Sequence, residues 1–258
     1  DLKKKINKKT KFVCVCHIAS QCGDIIDVQK IGSFIKKINS EILYVVDACQ
    51  SIGHININVK KNHELILKSL NFEKSFSVKQ VHSNKVVCAE DHLNKNTEIE
   101  ADAIICKSFD LAISVTTADC APLLIFDRKE LIVGAAHAGW KGAVKGITDN
   151  LIEHFKMNGS LIENILVAIG PCIGKDSFEV KSDMIKACIK EDYLSERFFI
   201  NKSNNDFFDL GSYLVKKLEN KGLRFIDYID EDTYKNSEKF FSYRLSLIHI
   251  SEPTRRRT

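Results

Sequence analysis

Apolar and β-branched residues fall into short runs along this chain, each closed by charged or glycine positions. Phe12 to Ile18, Ile42 to Val46, Ser77 to Val81, Lys85 to Ala89, Ala103 to Cys106, Ala112 to Thr116, Leu123 to Phe126, Ile132 to Ala136, Ile165 to Ile169 and Lys239 to Tyr243 all read as strands. One stretch has a different period. From Ala143 to Met157, Val144, Ile147, Leu151, Ile152 and Phe155 share a face at helical spacing, and Gly159 lies just past the end. Asn62 to Leu70, Ser182 to Lys190 and Asp209 to Lys221 are weaker helical stretches. Strands and helices that do not strictly alternate predict an α+β fold, with mixed β-sheets flanked by helices in a single compact domain.

The 258 residues are ample for a hydrophobic core, and 44% apolar with 28% charged residues is ordinary for a globular protein. No apolar run has the length of a membrane span, and the first residues lack the order of regions of a signal peptide. Nine scattered cysteines suit reduced thiols, so a cytoplasmic location is expected. The net charge of +4 is mild, and much of the excess sits in the tails, as in Lys3, Lys4 and Lys5 or Arg255, Arg256 and Arg257. Such runs are solvated ends, and no basic-aromatic signature for nucleic acid accompanies them. Neither a nucleic-acid nor a membrane partner is expected; the oligomeric state is left open. The chain divides into a basic tail (1–11), a domain (12–244) and a closing stretch (245–258).

The candidate chemistry lies in Thr117-Ala118-Asp119-Cys120 and His137-Ala138-Gly139-Trp140-Lys141-Gly142. Each follows an apolar run, so a cysteine and a histidine are delivered near strand ends. His82 closes another strand-like stretch. Alone, Cys120 reads as a core cysteine, and each histidine as a satisfied structural one. Separate elements that each contribute one ligand are the pattern of a catalytic metal site rather than a folding clip. Cys14-Val15-Cys16-His17 is better explained as strand core, because it sits inside an apolar run.

In order along the chain, Gln80-Val81-His82, Ala101-Asp102-Ala103, Thr117-Ala118-Asp119-Cys120, His137-Ala138-Gly139-Trp140, Ile169-Gly170-Pro171 and Phe241-Ser242-Tyr243-Arg244 resemble the motifs of the laccase-domain family. That family was once called multicopper polyphenol oxidases and is now described as zinc-containing purine nucleoside phosphorylases. The resemblance implies a catalytic zinc on His82, Cys120 and His137. It also implies phosphorolysis of adenosine, inosine, guanosine or methylthioadenosine to base and ribose 1-phosphate, with adenosine deamination as a further activity. The partners would be a purine nucleoside and phosphate. Asp119 is either a carboxylate behind the metal ligands that carries protons or a turn aspartate. Gly139, Lys141 and Gly142 lead into the predicted helix and are candidates for phosphate; Lys141 stands where the family usually has arginine. Arg244 either reaches the site or pairs on the surface. Trp140 either stacks a purine or packs into the fold.

Two ends depart from the family. Ser20-Gln21-Cys22-Gly23-Asp24 and Ser51-Ile52-Gly53-His54 stand where its glycine-rich and Ser-Leu-Asn elements belong. Leu245 to Thr258 replaces its last strand and is expected to be disordered or foreign to the domain. Three other functions compete. Cys120 activated by His137 or His82 would make a metal-independent hydrolase or amidase. A copper oxidase would need many histidines in His-x-His pairs, and none of the eight histidines forms one, so copper is not expected. A non-catalytic adaptor would have no use for an intact ligand set.

Overall fold

The computed structural model describes residues 10, 12–16, 18–19, 24–25, 28–38, 43–47, 67, 72, 74–93 and 98–245. The contacts divide the chain into two units. One comprises Asp1–Ser75 with Glu238–Phe240, and the other Phe76–Ser237 with Phe241–Thr258. Nearly all of the closing stretch, of the basic tail and of the Asn62 to Leu70 helix lies outside the described residues.

In the first unit, β1 (Phe12–Cys16) pairs in parallel with β4 (Leu43–Asp47), joined through the short strands β2 (Ile18–Ala19) and β3 (Asp24–Ile25) and the helix α1 (Val28–Ile38). A parallel pair needs such a crossover, because a tight turn can join only antiparallel neighbours.

The second unit is α+β, with mixed β-sheets flanked by helices. After β5 (Lys74–Ser77), its main sheet contains β6 (Val86–Cys88), β7 (Ala103–Cys106), β9 (Ala121–Asp127), β10 (Val133–Ala138), β11 (Ile165–Ile169) and β15 (Phe225–Tyr228), in the order β15-β11-β9-β10-β7-β6. The β15–β11 and β7–β6 pairs are parallel, and the rest are antiparallel. β8 (Leu111–Ser114) precedes β9. A smaller antiparallel sheet joins β12 (Glu179–Val180), β13 (Phe199–Lys202) and β14 (Asn205–Phe208). The helices are α2 (Trp140–Val144), α3 (Ile147–Met157), α4 (Ser182–Glu191) and α5 (Leu210–Asn220).

Strand alternation explains the packing. Along β7, Ala103 and Ile105 join the core that holds Ile147, Leu151, Ile152 and Phe155 of α3. Ile104 and Cys106 join a second core with Phe76, Val87 and Leu111. A strand covered on both faces reads as an unbroken apolar run, which is how this one appears in the sequence. Gly134 has a packing role here, since a Cβ on it would stand 2.8 Å from the Phe155 ring.

Three expected elements come out differently. The helix predicted from Ala143 to Met157 is two helices, broken where Gly146 takes a left-handed φ of 85°. The strand expected from Ser77 to Val81 ends at Ser77, because the amides of Val81, His82 and Ser83 turn onto the carboxylate of Asp102. Lys239 to Tyr243 is no strand: residues 237–239 are turn, and a helical turn occupies 243–245. There the Ser242 hydroxyl and the Arg244 amide are satisfied by Asp119 instead of a ladder. Among the described residues no helix is long and apolar enough to cross a membrane.

Candidate metal centre

The three ligand candidates come from three different settings. His82 lies in the loop between β5 and β6 with a left-handed φ of 58°. Cys120 immediately precedes β9, rather than closing β8, and His137 lies within β10. The β9–β10 register pairs Pro122 with His137 and Ala121 with Ala138, which brings Cys120 level with Gly139. One ligand atom from each of His82, Cys120 and His137 then falls within 4.8 Å of the other two. The Cys120 Sγ to His82 Nε2 distance is 3.8 Å, and the two imidazoles meet edge to face at 4.7 Å. The trio is graded in depth, with His82 exposed, Cys120 half-buried and His137 buried.

Gly139 makes this approach feasible. A Cβ there would lie 2.8 Å from His82 Cδ2 and 3.0 Å from Cys120 Sγ. Gly142 is packed in the same way, and a Cβ on it would lie 2.6 Å from the Ser83 carbonyl oxygen. Both glycines let α2 press against the ligand loops. Lys141 is exposed, with its Nζ 5.6 Å from the Trp140 ring centroid. The break at Gly146 moves the start of the longer helix away from the turn after His137.

Two side chains brace the loops from behind, and neither was given a role on sequence grounds. The Gln80 amide donates to the Thr116 carbonyl and accepts from the Thr116 amide, both at 2.7 Å, tying the His82 loop to the segment that leads to Cys120. Asp102, fully buried, accepts from the Val81, His82 and Ser83 amides, the Ser83 hydroxyl and His137 Nδ1. Burial would push the Asp102 carboxyl up. The bonds from His137, Ser83 and Val81 outweigh it, and the net direction is down. Burial, reinforced by His82, pushes His137 below its ordinary value despite Asp102. A carboxylate between two alanines at the start of an apolar run, in one of the motifs that resemble the family, was the available signal for Asp102.

Asp119 also takes a left-handed φ, 77°. It accepts from the Thr233 and Ser242 hydroxyls and the Arg244 amide, so it fastens the far end of the domain beside Cys120. The Arg244 guanidinium donates to the Glu179 carbonyl and lies 5.7 Å from the Phe178 ring. Cys120 is pushed up to about 12, by burial first and then by Asp119 and Asp102. Cys88, Cys106, Cys120, Cys172 and Cys188 are free thiols. A cleft of about 240 Å³ lies elsewhere, lined by Val144, Gly146, Asp149, Asp192 and Lys217 among others; none of the trio lines it.

The chemistry of the donor set fits zinc. Two imidazoles and a thiol on three separate elements are the borderline-soft ligands this ion prefers, and three protein ligands leave a position open.

The family model for multi-copper polyphenol oxidoreductase laccase matches residues 45–249. A purine nucleoside phosphorylase of Rickettsia prowazekii is 36% identical over 194 residues, 74% of this chain and 79% of that protein. An adenosine deaminase from an unknown prokaryotic organism is 31% identical over 116 residues, 42% of this chain and 44% of that protein.

 Among solved structures, a Neisseria meningitidis protein superposes with a TM-score of 0.66 at 29% identity, covering 75% of this chain and 79% of that one. A second family model, aminotransferase class-V, matches residues 1–64, within the first unit.

Proposed function

The chain belongs to the multi-copper polyphenol oxidoreductase laccase family, and from that premise we propose that it cleaves purine nucleosides with phosphate at a zinc ion held by His82, Cys120 and His137. The products would be the free base and ribose 1-phosphate. The observation that carries this reading is the convergence of three borderline-soft ligand atoms within 4.8 Å. The substrate class rests on the phosphorylase relative. When bound, zinc supplies a Lewis acid with an open coordination position.

The chain's own residues supply the rest. The depth gradient puts the accessible side of the trio at His82, with His137 as its buried floor. Gly139 keeps that side free of a side chain that would press on His82 and Cys120. Lys141, exposed on α2, is the cation we assign to phosphate. Asp119 and Arg244 act as positioning groups, because their hydrogen bonds join the far end of the domain to the turn that carries Cys120. Adenosine deamination at the same trio is a second activity, favoured by the likeness to an adenosine deaminase. A Cys–His hydrolase is disfavoured: a nucleophilic thiol needs a lowered pKa, and Cys120 is pushed up to about 12. Free thiols suit a reducing compartment, and we assign the protein to the cytoplasm.

Incubation with adenosine, with and without phosphate, tests the reading when adenine, inosine and ribose 1-phosphate are followed. Phosphate-dependent release of adenine is the expected result. Inosine alone would assign the site to deamination, and turnover that survives metal chelation would exclude the zinc reading.

A further inference from the structure

We propose that Asp102 is a positioning residue that selects the nitrogen His137 offers to the metal and, with the same carboxylate, shapes the loop that presents His82. The inference rests on the zinc reading for its ligand, while the geometry behind it is independent of any ion.

The Asp102 side chain is fully buried, and its two oxygens divide their work. Oδ1 accepts from the His82 amide at 3.0 Å and from His137 Nδ1 at 2.8 Å. Oδ2 accepts from the Val81 amide at 3.2 Å, the Ser83 amide at 2.6 Å and the Ser83 hydroxyl at 2.7 Å. An ionised carboxylate can only accept, so the proton in its bond to the imidazole belongs to Nδ1. A neutral His137 then carries its lone pair on Nε2, the nitrogen left for a metal. On the other side, three successive amides converge on one anion, a nest that an extended chain cannot form. His82, the middle residue, accordingly has a φ of 58°. One side chain thus sets the donor atom of one ligand and the backbone of another, although the two lie on different elements. No lysine or arginine is among its hydrogen-bond partners in the described residues.

Asp102→Asn separates this role from simple packing. The amide oxygen remains with the three donors on the Oδ2 side, so the NH₂ group takes the place of Oδ1, gives up the His82 amide and faces His137 Nδ1. His137 must then accept at Nδ1 and carry its proton on Nε2, where no lone pair remains for a metal. Ser83→Ala is the control, because it loosens the same loop and leaves the imidazole bond in place.

Two measurements decide the matter: nitrogen NMR of the histidine tautomers in metal-free protein at neutral pH, and zinc affinity by competition with a chromogenic chelator. The expected result is an Nδ1–H tautomer for His137 in the unmodified protein and an Nε2–H tautomer in Asp102→Asn. Zinc affinity should fall about 10–100-fold in Asp102→Asn and stay near the unmodified value in Ser83→Ala. An Nε2–H tautomer in the unmodified protein overturns the inference, a measurement that needs no variant to fold. Unchanged zinc affinity in a folded Asp102→Asn overturns it too. If the unmodified protein binds no zinc, the metal reading fails, and the two tautomers alone decide the role of Asp102.

Discussion

Asp102 and Asp149 are both withdrawn carboxylates in the same domain, and their surroundings differ in kind. Asp149, on α3, takes two ammonium groups: Lys217 at 2.8 Å and Lys221 at 2.7 Å. Lys217 also meets Asp192 at 2.9 Å, which accepts from the Tyr213 hydroxyl at 2.8 Å. That network ties α3 to α5 and to the end of α4 with charges that cancel locally. Asp102 is held by neutral donors alone, as is Asp119 beside Cys120. Charge is balanced by the protein in the first region. In the second, positive charge is what a bound cation would bring. The first region therefore concerns stability, and the second concerns the ligands.

The sharpest way to break this contrast is Cys120→Ala, which should remove zinc binding and reduce turnover to background while the melting temperature of the metal-free protein stays close to that of the unmodified chain. Metal analysis and calorimetry on one preparation read both.

Lys217→Ala should do the reverse. It leaves Asp149 and Asp192 without their shared ammonium, and the side chains are only 15%, 24% and 19% exposed. The expected loss of stability is about 2–3 kcal/mol, below the range for fully buried pairs because water reaches this one. Zinc affinity and turnover per folded molecule should not change. Acid sharpens the test. Burial would raise Asp149 and Asp192, but their lysine bonds hold both below the ordinary aspartate value. Their contribution is therefore present above that ordinary value and is lost as pH falls through the folded values. Urea unfolding should show a larger penalty for Lys217→Ala at neutral pH than near pH 3.

Gly139→Ala should weaken zinc binding by about tenfold, because overpacking of this kind costs about 1–3 kcal/mol. The backbone is not the cause, since φ at Gly139 is −71°, open to any residue. Chelator competition measures the effect. The smallest effect expected is that of Gln80→Ala, which removes a paired amide bond to Thr116 and should cost about 1 kcal/mol of stability. Thermal unfolding measures it.

These regions were unequally legible in the sequence. β7 and β11 coincide with their apolar runs, because burial writes itself into continuous hydrophobic stretches. α4 and α5 agree within a residue at each end. β13, β14 and β15 were missed: charged and polar residues interrupt them, and Ser203 and Asn204 supply a left-handed turn that only their small polar side chains hinted at. α1 was missed as well, inside the segment that departs from the family. His82, Cys120 and His137 were legible because their residue types carry the chemistry and their motifs carry the family. Asp102 stood in a family motif, but its role was not legible, since most of its partners are backbone amides, which leave no mark in a sequence. The commitment of Asp119 to Thr233, Ser242 and Arg244 depends on residues far along the chain, and spacing does not reveal it.

The central claim is that His82, Cys120 and His137 hold one divalent ion through a sulfur and two nitrogens. Titration of the metal-free protein with cobalt(II), followed by absorption spectroscopy, tests it most directly. The account predicts saturation at a single equivalent, with a sulfur-to-cobalt charge-transfer band that zinc displaces and Cys120→Ala abolishes. Cobalt bound without that band, or a band that persists in Cys120→Ala, would contradict it.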